Sequence, residues 1–185
     1  GEGAVVLAVA LIGGGAVGPA CARELALSGR RPLVLDSSAP GSAWEAAGGM
    51  LAPQIEAEGH DPLFELGLAG RDRYAEIAGA LEAESGIDIG FWQEGNAQLA
   101  TDESQVAELK SKVAWQRQQG YLCDWLDAVE ARAHWPWTGP VYGALWARRD
   151  GALDPVALVH ALLTDAKRHG ASVAADRALE IEQKH

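Results

Sequence analysis

The sequence of 185 residues predicts an α/β fold that is interrupted by an α+β insertion, and three observations support this prediction. First, an apolar run at 4–12 leads through a glycine-rich turn into a helical segment, and a second apolar run then ends at Asp36. Strand, turn, helix and strand in about thirty residues form a βαβ unit. Second, residues 59–149 mix helical and strand patterns without that order. Third, a helix and short strands of the α/β type return over 150–185.

The first βαβ unit follows from local signals. The run 4–12 is rich in β-branched residues and apolar on both faces, which is typical of a central parallel strand covered by helices on both sides. Pro19 suits the first turn of the following helix, and Ser28-Gly29 ends it before a strand at 32–35. Although 4–22 carries no charge, its glycines and the lack of a preceding basic residue argue against a membrane span or a signal peptide.

The rest of the chain is divided by Asp-Pro pairs and glycines. Asp61-Pro62 predicts a helix that ends at Gly86, because Asp caps a helix and Pro fits its first position. Its apolar stripe is expected to contain Leu63, Leu66, Gly70, Tyr74, Ile77 and Leu81. The other predicted elements are a strand at 91–100, helices at 103–119 and 126–133, a strand at 141–147, a helix from Asp154-Pro155 to Gly170, and strands at 172–175 and 179–182. The predicted domains are 1–58, an insertion at 59–149, and a return to the first domain at 150–185.

Composition disfavours several classes of function. The chain has 15 Lys+Arg against 26 Asp+Glu, a net charge of −11 that disfavours binding to nucleic acid or anionic membranes. Two distant cysteines, Cys21 and Cys123, cannot form a disulfide framework, so a reduced, cytoplasmic protein is expected. The histidines show no ligand spacing with either cysteine or with one another, and no metal site is expected.

The glycine-rich turn has the pattern of a dinucleotide-binding site. Residues 13–18 fit GxGxxG: Gly13 permits the tight turn, Gly15 allows a pyrophosphate to approach the backbone, and Gly18 lets helix and strand pack closely. Asp36, at the end of the second strand, is placed to accept a hydrogen bond from a ribose hydroxyl and would repel the 2′-phosphate of NADP. A Rossmann-type domain that binds FAD or NAD is therefore predicted, with a purely structural glycine turn as the alternative.

A second motif connects the chain to a known family. The run from Val5 to Asp36 resembles the start of the FAD-dependent oxidoreductases of the D-amino-acid oxidase type. Residues 46–53, with the sequence Ala-Ala-Gly-Gly-Met-Leu-Ala-Pro, followed by Glu56, resemble the glycine oxidase branch of thiamine biosynthesis, in which this loop lies along the flavin. The resemblance covers nearly the whole chain, but it corresponds to the N-terminal half of the family, so the C-terminal part of the fold is expected to be missing.

The resemblance implies contacts with FAD at particular residues. It implies that the pyrophosphate lies against the glycine turn, the adenosine ribose against Asp36 and Ser37, and the adenine near the backbone of Leu179. The implied pyrophosphate contacts are Gly13, Gly15, Ala16, Val17 and Gly18, and the implied isoalloxazine contacts are Gly48, Gly49 and Met50. Small side chains at 46–49 agree with this, because they let backbone amides reach a flat ring; a flexible linker is the alternative.

The activity implied by the resemblance is the oxidative deamination of glycine or another small amino acid or amine, with oxygen as acceptor and hydrogen peroxide as product. The family's substrate-binding arginine lies in its C-terminal half, so no catalytic residue is assigned here. Two alternatives stay open: a truncated or partner-completed dinucleotide-binding fragment without activity, and an NAD-dependent dehydrogenase, which the loop at Ala46–Met50 disfavours. A homo-oligomer is also left open.

Overall fold

A computed structural model describes residues 9–37, 40–180 and 182. The helices are α1 (Val17–Leu27), α2 (Pro53–Glu56), α3 (Pro62–Ser85), α4 (Ser104–Gln118), α5 (Ala128–His134) and α6 (Pro155–Arg168). The strands are β1 (Ala10–Ile12), β2 (Leu33–Leu35), β3 (Met50–Leu51), β4 (Asn96–Ala100), β5 (Cys123–Asp127), β6 (Gly143–Ala147), β7 (Gly151–Ala152) and β8 (Ser172–Ala174). No helix in these described ranges is both long and apolar enough to span a membrane.

The chain forms two compact units. The first unit comprises the described residues of Gly1–Gly49, Ile77–Gly90 and Asp154–His185. The second unit comprises Met50–Glu76 and Phe91–Leu153. The chain passes from one unit to the other after Gly49, Glu76, Gly90 and Leu153, so α3 contributes to both units.

The first unit contains a parallel sheet in the order β1-β2-β8, with Leu11 opposite Val34 and Val34 opposite Val173. This is the βαβ unit predicted from the sequence, and β8 adds a further parallel strand. Helices α1 and α6 pack against each other, and their small buried residues Ala22 and Ala166 join Val34 in one core. Asp154 caps α6 by accepting hydrogen bonds from the N–H groups of its first turn, as the Asp-Pro pair predicts.

Two strand predictions in this unit need correction. Residues 4–8 of the run 4–12 lie outside the described residues. The run was predicted to be a central strand, but β1 is at the edge of the described sheet. Ile12 is 59% exposed, because the described helices cover only the face of the sheet that carries Leu11. The predicted strand at 179–182 is wrong for Leu179, Glu180 and Glu182, and residue 181 is not described. Its described backbone has no strand partner, and the Leu179 side chain is 91% exposed.

The second unit is built on an antiparallel sheet in the order β4-β6-β5. Helix α4 packs on one face, where Leu109, Val113 and Leu145 form a core, and α5 packs on the other face, around Ala131 and Ala144. The sequence analysis missed β5 and placed Leu126 in a helix. Leu126 pairs with Ala144 instead, because α5 begins only after Asp127, the cap of its first turn.

The predicted apolar stripe of α3 is only partly buried. Leu63 is 75% exposed and Leu66 is 68% exposed, whereas Phe64 and Arg71 are buried. Phe64 makes edge-to-face contacts with Trp115 and Tyr121. In the first half of α3, the buried side of the helix therefore carries Phe64 and not the two leucines.

Candidate functional site

The glycine turn lies at the carboxyl ends of β1 and β2. The Gly13 N–H donates a hydrogen bond to the Leu35 carbonyl at 2.8 Å, and Gly13 has a φ of +108°, which favours glycine. A Cβ added to Gly18 would lie 2.0 Å from the Gly13 carbonyl oxygen. The chain can therefore fold back tightly from β1 into α1 only because residue 18 has no side chain.

The N terminus of α1 presents backbone N–H groups at the glycine turn. The helix begins at Val17, no side chain caps it, and its first turn contains no acidic residue. The first N–H groups of a helix lack partners within the helix and carry a partial positive charge. Because the exposed Val17 stands at this end, the turn is accessible to an anion from solvent.

Asp36 lies directly beside the turn. A Cβ added to Gly14 would be 2.4 Å from Asp36 Oδ2, so the carboxylate occupies the space that a side chain at residue 14 would need. The Asp36 N–H donates to the Ala174 carbonyl at 3.0 Å, which fixes the residue at the end of β2. The structure thus brings together the glycine turn and the acid that were predicted to hold a pyrophosphate and a ribose.

The other predicted contacts are distributed over both units. In the first unit, Ser37 is exposed, Gly48 has open space at its Cβ position, and Gly49 has a φ of +73°. Met50 begins the second unit, is 59% exposed, and pairs with Ala152 on the two-residue strands β3 and β7. Leu179 is not brought into contact with the turn by any described packing.

Trp44 is a residue of the first unit whose position the sequence did not reveal. Its Cδ1 would be 3.3 Å from a Cβ added to Gly15, and its ring meets that of His160 edge-on at 6.0 Å. A large aromatic ring thus lies against the turn at the residue predicted to face the pyrophosphate. A tryptophan immediately before an Ala/Gly-rich loop was the available signal.

In the second unit, a buried network fixes the segment that follows Met50. Asp150 Oδ2 accepts hydrogen bonds from the N–H groups of Gln54 and Ile55, both at 3.2 Å. Arg71 Nη1 donates to Asp150 Oδ1 at 2.9 Å and to Gln54 Oε1 at 2.7 Å, and Arg71 Nε donates to Asp72 at 3.0 Å. Burial raises the pKa of Asp150, while the hydrogen bond from Arg71 acts to lower it.

Gln54 and Ile55 belong to the short helix α2, and further contacts hold this helix in place. Gln54 Nε2 donates to Gln116 Oε1 at 3.0 Å and to the Leu122 carbonyl at 3.1 Å, and Gln116 Nε2 donates to the Gln54 carbonyl at 2.8 Å. Lys112 donates to the Ile55 carbonyl, and burial lowers the pKa of Lys112. The backbone that follows Met50 is therefore held by fully buried polar groups, which sequence periodicity cannot identify because the partners are far apart along the chain.

The two cysteines differ in environment. Cys123 is buried in the core beside α4, and this burial raises its pKa to about 12, whereas Cys21 is exposed on α1. Within the described residues, no three His, Cys, Asp or Glu side chains form a group that could bind a metal ion.

Cysteine labelling checks this difference. We expect iodoacetamide at mildly alkaline pH to alkylate Cys21 in the folded protein and to leave Cys123 unmodified, because only an accessible thiolate reacts. Mass spectrometry of tryptic peptides measures both sites, and labelling in denaturant, where both should react, is the control. Equal labelling of the two thiols in the folded protein would contradict the buried position of Cys123.

The parallel βαβ unit, its glycine turn and the adjacent acid define a dinucleotide-binding α/β protein. A family model described as DAO, FAD dependent oxidoreductase, matches residues 8–185. The chain belongs to this family of FAD-dependent oxidoreductases, and within it the chain is similar to glycine oxidases.

Individual relatives support this assignment. The chain is 34% identical over 166 residues to the glycine oxidase of Geobacillus kaustophilus, covering 88% of this chain and 44% of that protein. It is 34% identical over 181 residues to the bifunctional protein ThiO/ThiG of Synechocystis sp., covering 96% of this chain and 26% of that protein. The crystal structure of glycine oxidase from Bacillus cereus matches with a TM-score of 0.86 and 27% identity, over 95% of this chain and 48% of that one. The chain thus spans less than half the length of these relatives.

Proposed function

We propose that this chain provides the first FAD-binding portion of an oxidoreductase that oxidatively deaminates glycine or another small amino acid or amine, with oxygen as acceptor and hydrogen peroxide as product. The observation that carries the proposal is the position of the Asp36 carboxylate beside the glycine turn. The similarity to glycine oxidases and to ThiO/ThiG supports the class of reaction and the branch related to thiamine biosynthesis.

The described residues fit an FAD nucleotide. The uncapped N terminus of α1 would donate to the pyrophosphate from the backbone of Ala16, Val17 and Gly18, and Gly13 and Gly15 have no side chains of their own to stand in its way. Asp36 would accept from a ribose hydroxyl, with Ser37 next to it. FAD, when bound, supplies the acceptor of the substrate's hydride.

The remaining assigned contacts are part of this proposal. Gly48, Gly49 and Met50 would lie near the isoalloxazine, since the two glycines have no side chains and Gly48 is exposed, and Leu179 would approach the adenine through its backbone. In the second unit the contribution of the chain is to hold Met50 and the following turn in place through Asp150 and Arg71.

Titration of the purified protein with FAD tests the proposal. We expect the protein to quench the fluorescence of added FAD at saturable stoichiometry, and we expect weaker binding of NAD. Protein that takes up no FAD would contradict the proposal, and preferential binding of NAD would favour a dehydrogenase. Peroxide release from glycine or sarcosine would then distinguish an active oxidase from a fragment that binds FAD without turnover; we expect no release from the 185 residues alone.

Asp36 provides a specific prediction. We expect Asp36→Ala to weaken FAD binding about tenfold, because it removes one charge-assisted hydrogen bond to the ribose. The matched control is Glu84→Ala, which removes the same charge from an exposed site in the same unit, where Glu84 forms an ion pair with Arg168 at 3.1 Å. The dissociation constant from the fluorescence titration is the measurement. If Asp36→Ala and Glu84→Ala bind FAD equally well, Asp36 is not the ribose acceptor.

A further inference from the structure

Trp44 lies against the glycine turn with the five-membered ring of its indole. The atom nearest to a Cβ added at Gly15 is Trp44 Cδ1, at 3.3 Å, and Cδ1 is bonded to Nε1, the nitrogen that carries the indole hydrogen. On the basis of the proposed function, we propose that the Trp44 indole N–H donates a hydrogen bond to the pyrophosphate of the bound dinucleotide. A side chain outside the glycine motif thereby becomes part of the binding site.

The indole N–H of Trp44 has no acceptor in the part of the chain that the structure describes. The side chain is half-buried, and an indole nitrogen can only donate, so it gains from a ligand oxygen placed next to it. A phosphate oxygen at the turn is such an acceptor. Because that oxygen is charged, the hydrogen bond would be charge-assisted and stronger than one to a neutral group.

The turn has no basic side chain of its own to hold an anion. Residues 13–22 and 40–49, which contain the turn, the start of α1 and the segment around Trp44, include no Lys, Arg or His. Trp44 has the single side chain in these two segments that carries an N–H group. A pyrophosphate there depends on hydrogen-bond donors instead of cations, so the indole N–H would add to the backbone donors of the helix.

The position of the indole ring is fixed from two sides. Trp44 belongs to a short 3₁₀ turn, Ala43–Glu45, which is closed by a hydrogen bond from the Ala46 N–H to the Ala43 carbonyl at 3.2 Å. This turn packs on α6, where the ring of His160 meets the indole edge-on, with 6.0 Å between the ring centroids. The donor is therefore already ordered, and little conformational entropy is lost when it engages a ligand.

Binding of FAD and of ADP to Trp44→Phe tests this role, because phenylalanine keeps an aromatic ring and removes the N–H group. We expect both dissociation constants to rise about tenfold, since both ligands contain the pyrophosphate. Quenching of FAD fluorescence measures the first constant, and competition with FAD measures the second. The matched control is Trp137→Phe, which changes an 80% exposed tryptophan in the second unit and should bind both ligands like the unsubstituted protein.

The indole N–H also gives a direct readout that a change in packing alone does not reproduce. The chain has seven tryptophans, and the indole signal that Trp44→Phe lacks in a proton–nitrogen correlation spectrum is that of Trp44. We expect this signal to move downfield when ADP saturates the unsubstituted protein, because the N–H then donates to a phosphate oxygen. If Trp44→Phe fails to fold, 3-benzothienylalanine at residue 44, which has sulfur in place of the N–H and nearly the same shape, serves for both measurements.

The outcomes separate the role of Trp44 from the proposed function. Unchanged affinity of Trp44→Phe for both ligands, or an indole signal that does not move with ADP, would overturn the role of Trp44 alone. Weaker binding of FAD with unchanged binding of ADP would overturn it as well, because the indole would then contact the flavin and not the pyrophosphate. An unsubstituted protein that binds neither ligand would contradict the proposed function itself, and the role of Trp44 with it.

Discussion

Gly18→Ala is expected to destabilise the first unit by about 3 kcal/mol or more, although it adds a single methyl group. The added Cβ would lie 2.0 Å from the Gly13 carbonyl oxygen and 3.2 Å from the Gly13 carbonyl carbon. Both are backbone atoms, so no side chain can move to relieve the overlap. The turn between β1 and α1 would have to open, which would break the hydrogen bond from Gly13 N to the Leu35 carbonyl.

Chemical denaturation followed by circular dichroism measures this loss, and Gly79→Ala is the matched control. Gly79 lies in α3 within the same unit, and an added Cβ there meets nothing within 4 Å. The control should stabilise the protein by about 0.5–1 kcal/mol, because alanine is the better helix former. Gly18→Ala should also lose FAD binding under conditions where it remains folded. If both alanine variants unfold at the same denaturant concentration as the parent protein, the result contradicts the close packing of Gly18 against the Gly13 carbonyl.

Helices were predicted well from the sequence because their ends carry local signals. The predicted helix from Asp61-Pro62 to Gly86 corresponds to α3, and Asp61 caps it by accepting from the Phe64 N–H at 2.7 Å. Such a cap needs only residues three positions apart, so a single sequence reveals it. The same reasoning would have placed the start of α5 correctly, since Asp127 and Glu130 form a capping box.

What the sequence did not predict depends on distant partners. Strand β5 contains Asp124, a charged residue that interrupts the apolar pattern expected of a strand. In the structure Asp124 forms ion pairs with both Arg117 and Arg148. Leu63 and Phe64 are both apolar neighbours on α3, and only the positions of Trp115 and Tyr121 decide that Phe64 is buried. In the candidate site, GxGxxG and Asp36 were found from the sequence because the motif is local. The contact between Trp44 and the turn was not predicted, because these residues are distant along the chain.

The second large effect is expected for Arg71→Met in the second unit. Arg71 is 4% exposed, and Asp150 is completely buried, so the substitution leaves a buried carboxylate without its cation. Breaking a buried pair on one side costs about 3–5 kcal/mol. Arg73→Met is the matched control, because its charge is exposed on the same helix and its ion pair with Glu76 is worth about 0.5 kcal/mol or less. Urea denaturation of both variants measures the difference, and equal stabilities would contradict the proposed importance of the buried pair.

The cost of Arg71→Met should also depend on pH. Burial raises the pKa of Asp150, and the hydrogen bond and positive charge of Arg71 act to lower it. The pKa of Asp150 should therefore rise further in Arg71→Met. A carboxyl group whose pKa is higher in the folded protein contributes stability below its unfolded pKa and loses it as the pH rises through the folded pKa. The variant should therefore approach the parent protein in stability in mildly acidic buffer and fall furthest below it at neutral pH.

A double variant separates charge from packing in the same network. In Arg71→Met/Asp150→Asn the buried charge is gone, while the asparagine oxygen can still accept from the N–H groups of Gln54 and Ile55. We expect the double variant to be more stable than Arg71→Met at neutral pH and to lose its additional pH dependence, a coupling that a double-mutant cycle quantifies. If stability is not recovered, the loss comes from the packing of the Arg71 side chain instead. Recovery would show that Asp150 orders the backbone after Met50 through its two N–H contacts, with Arg71 acting to neutralise the carboxylate that makes them.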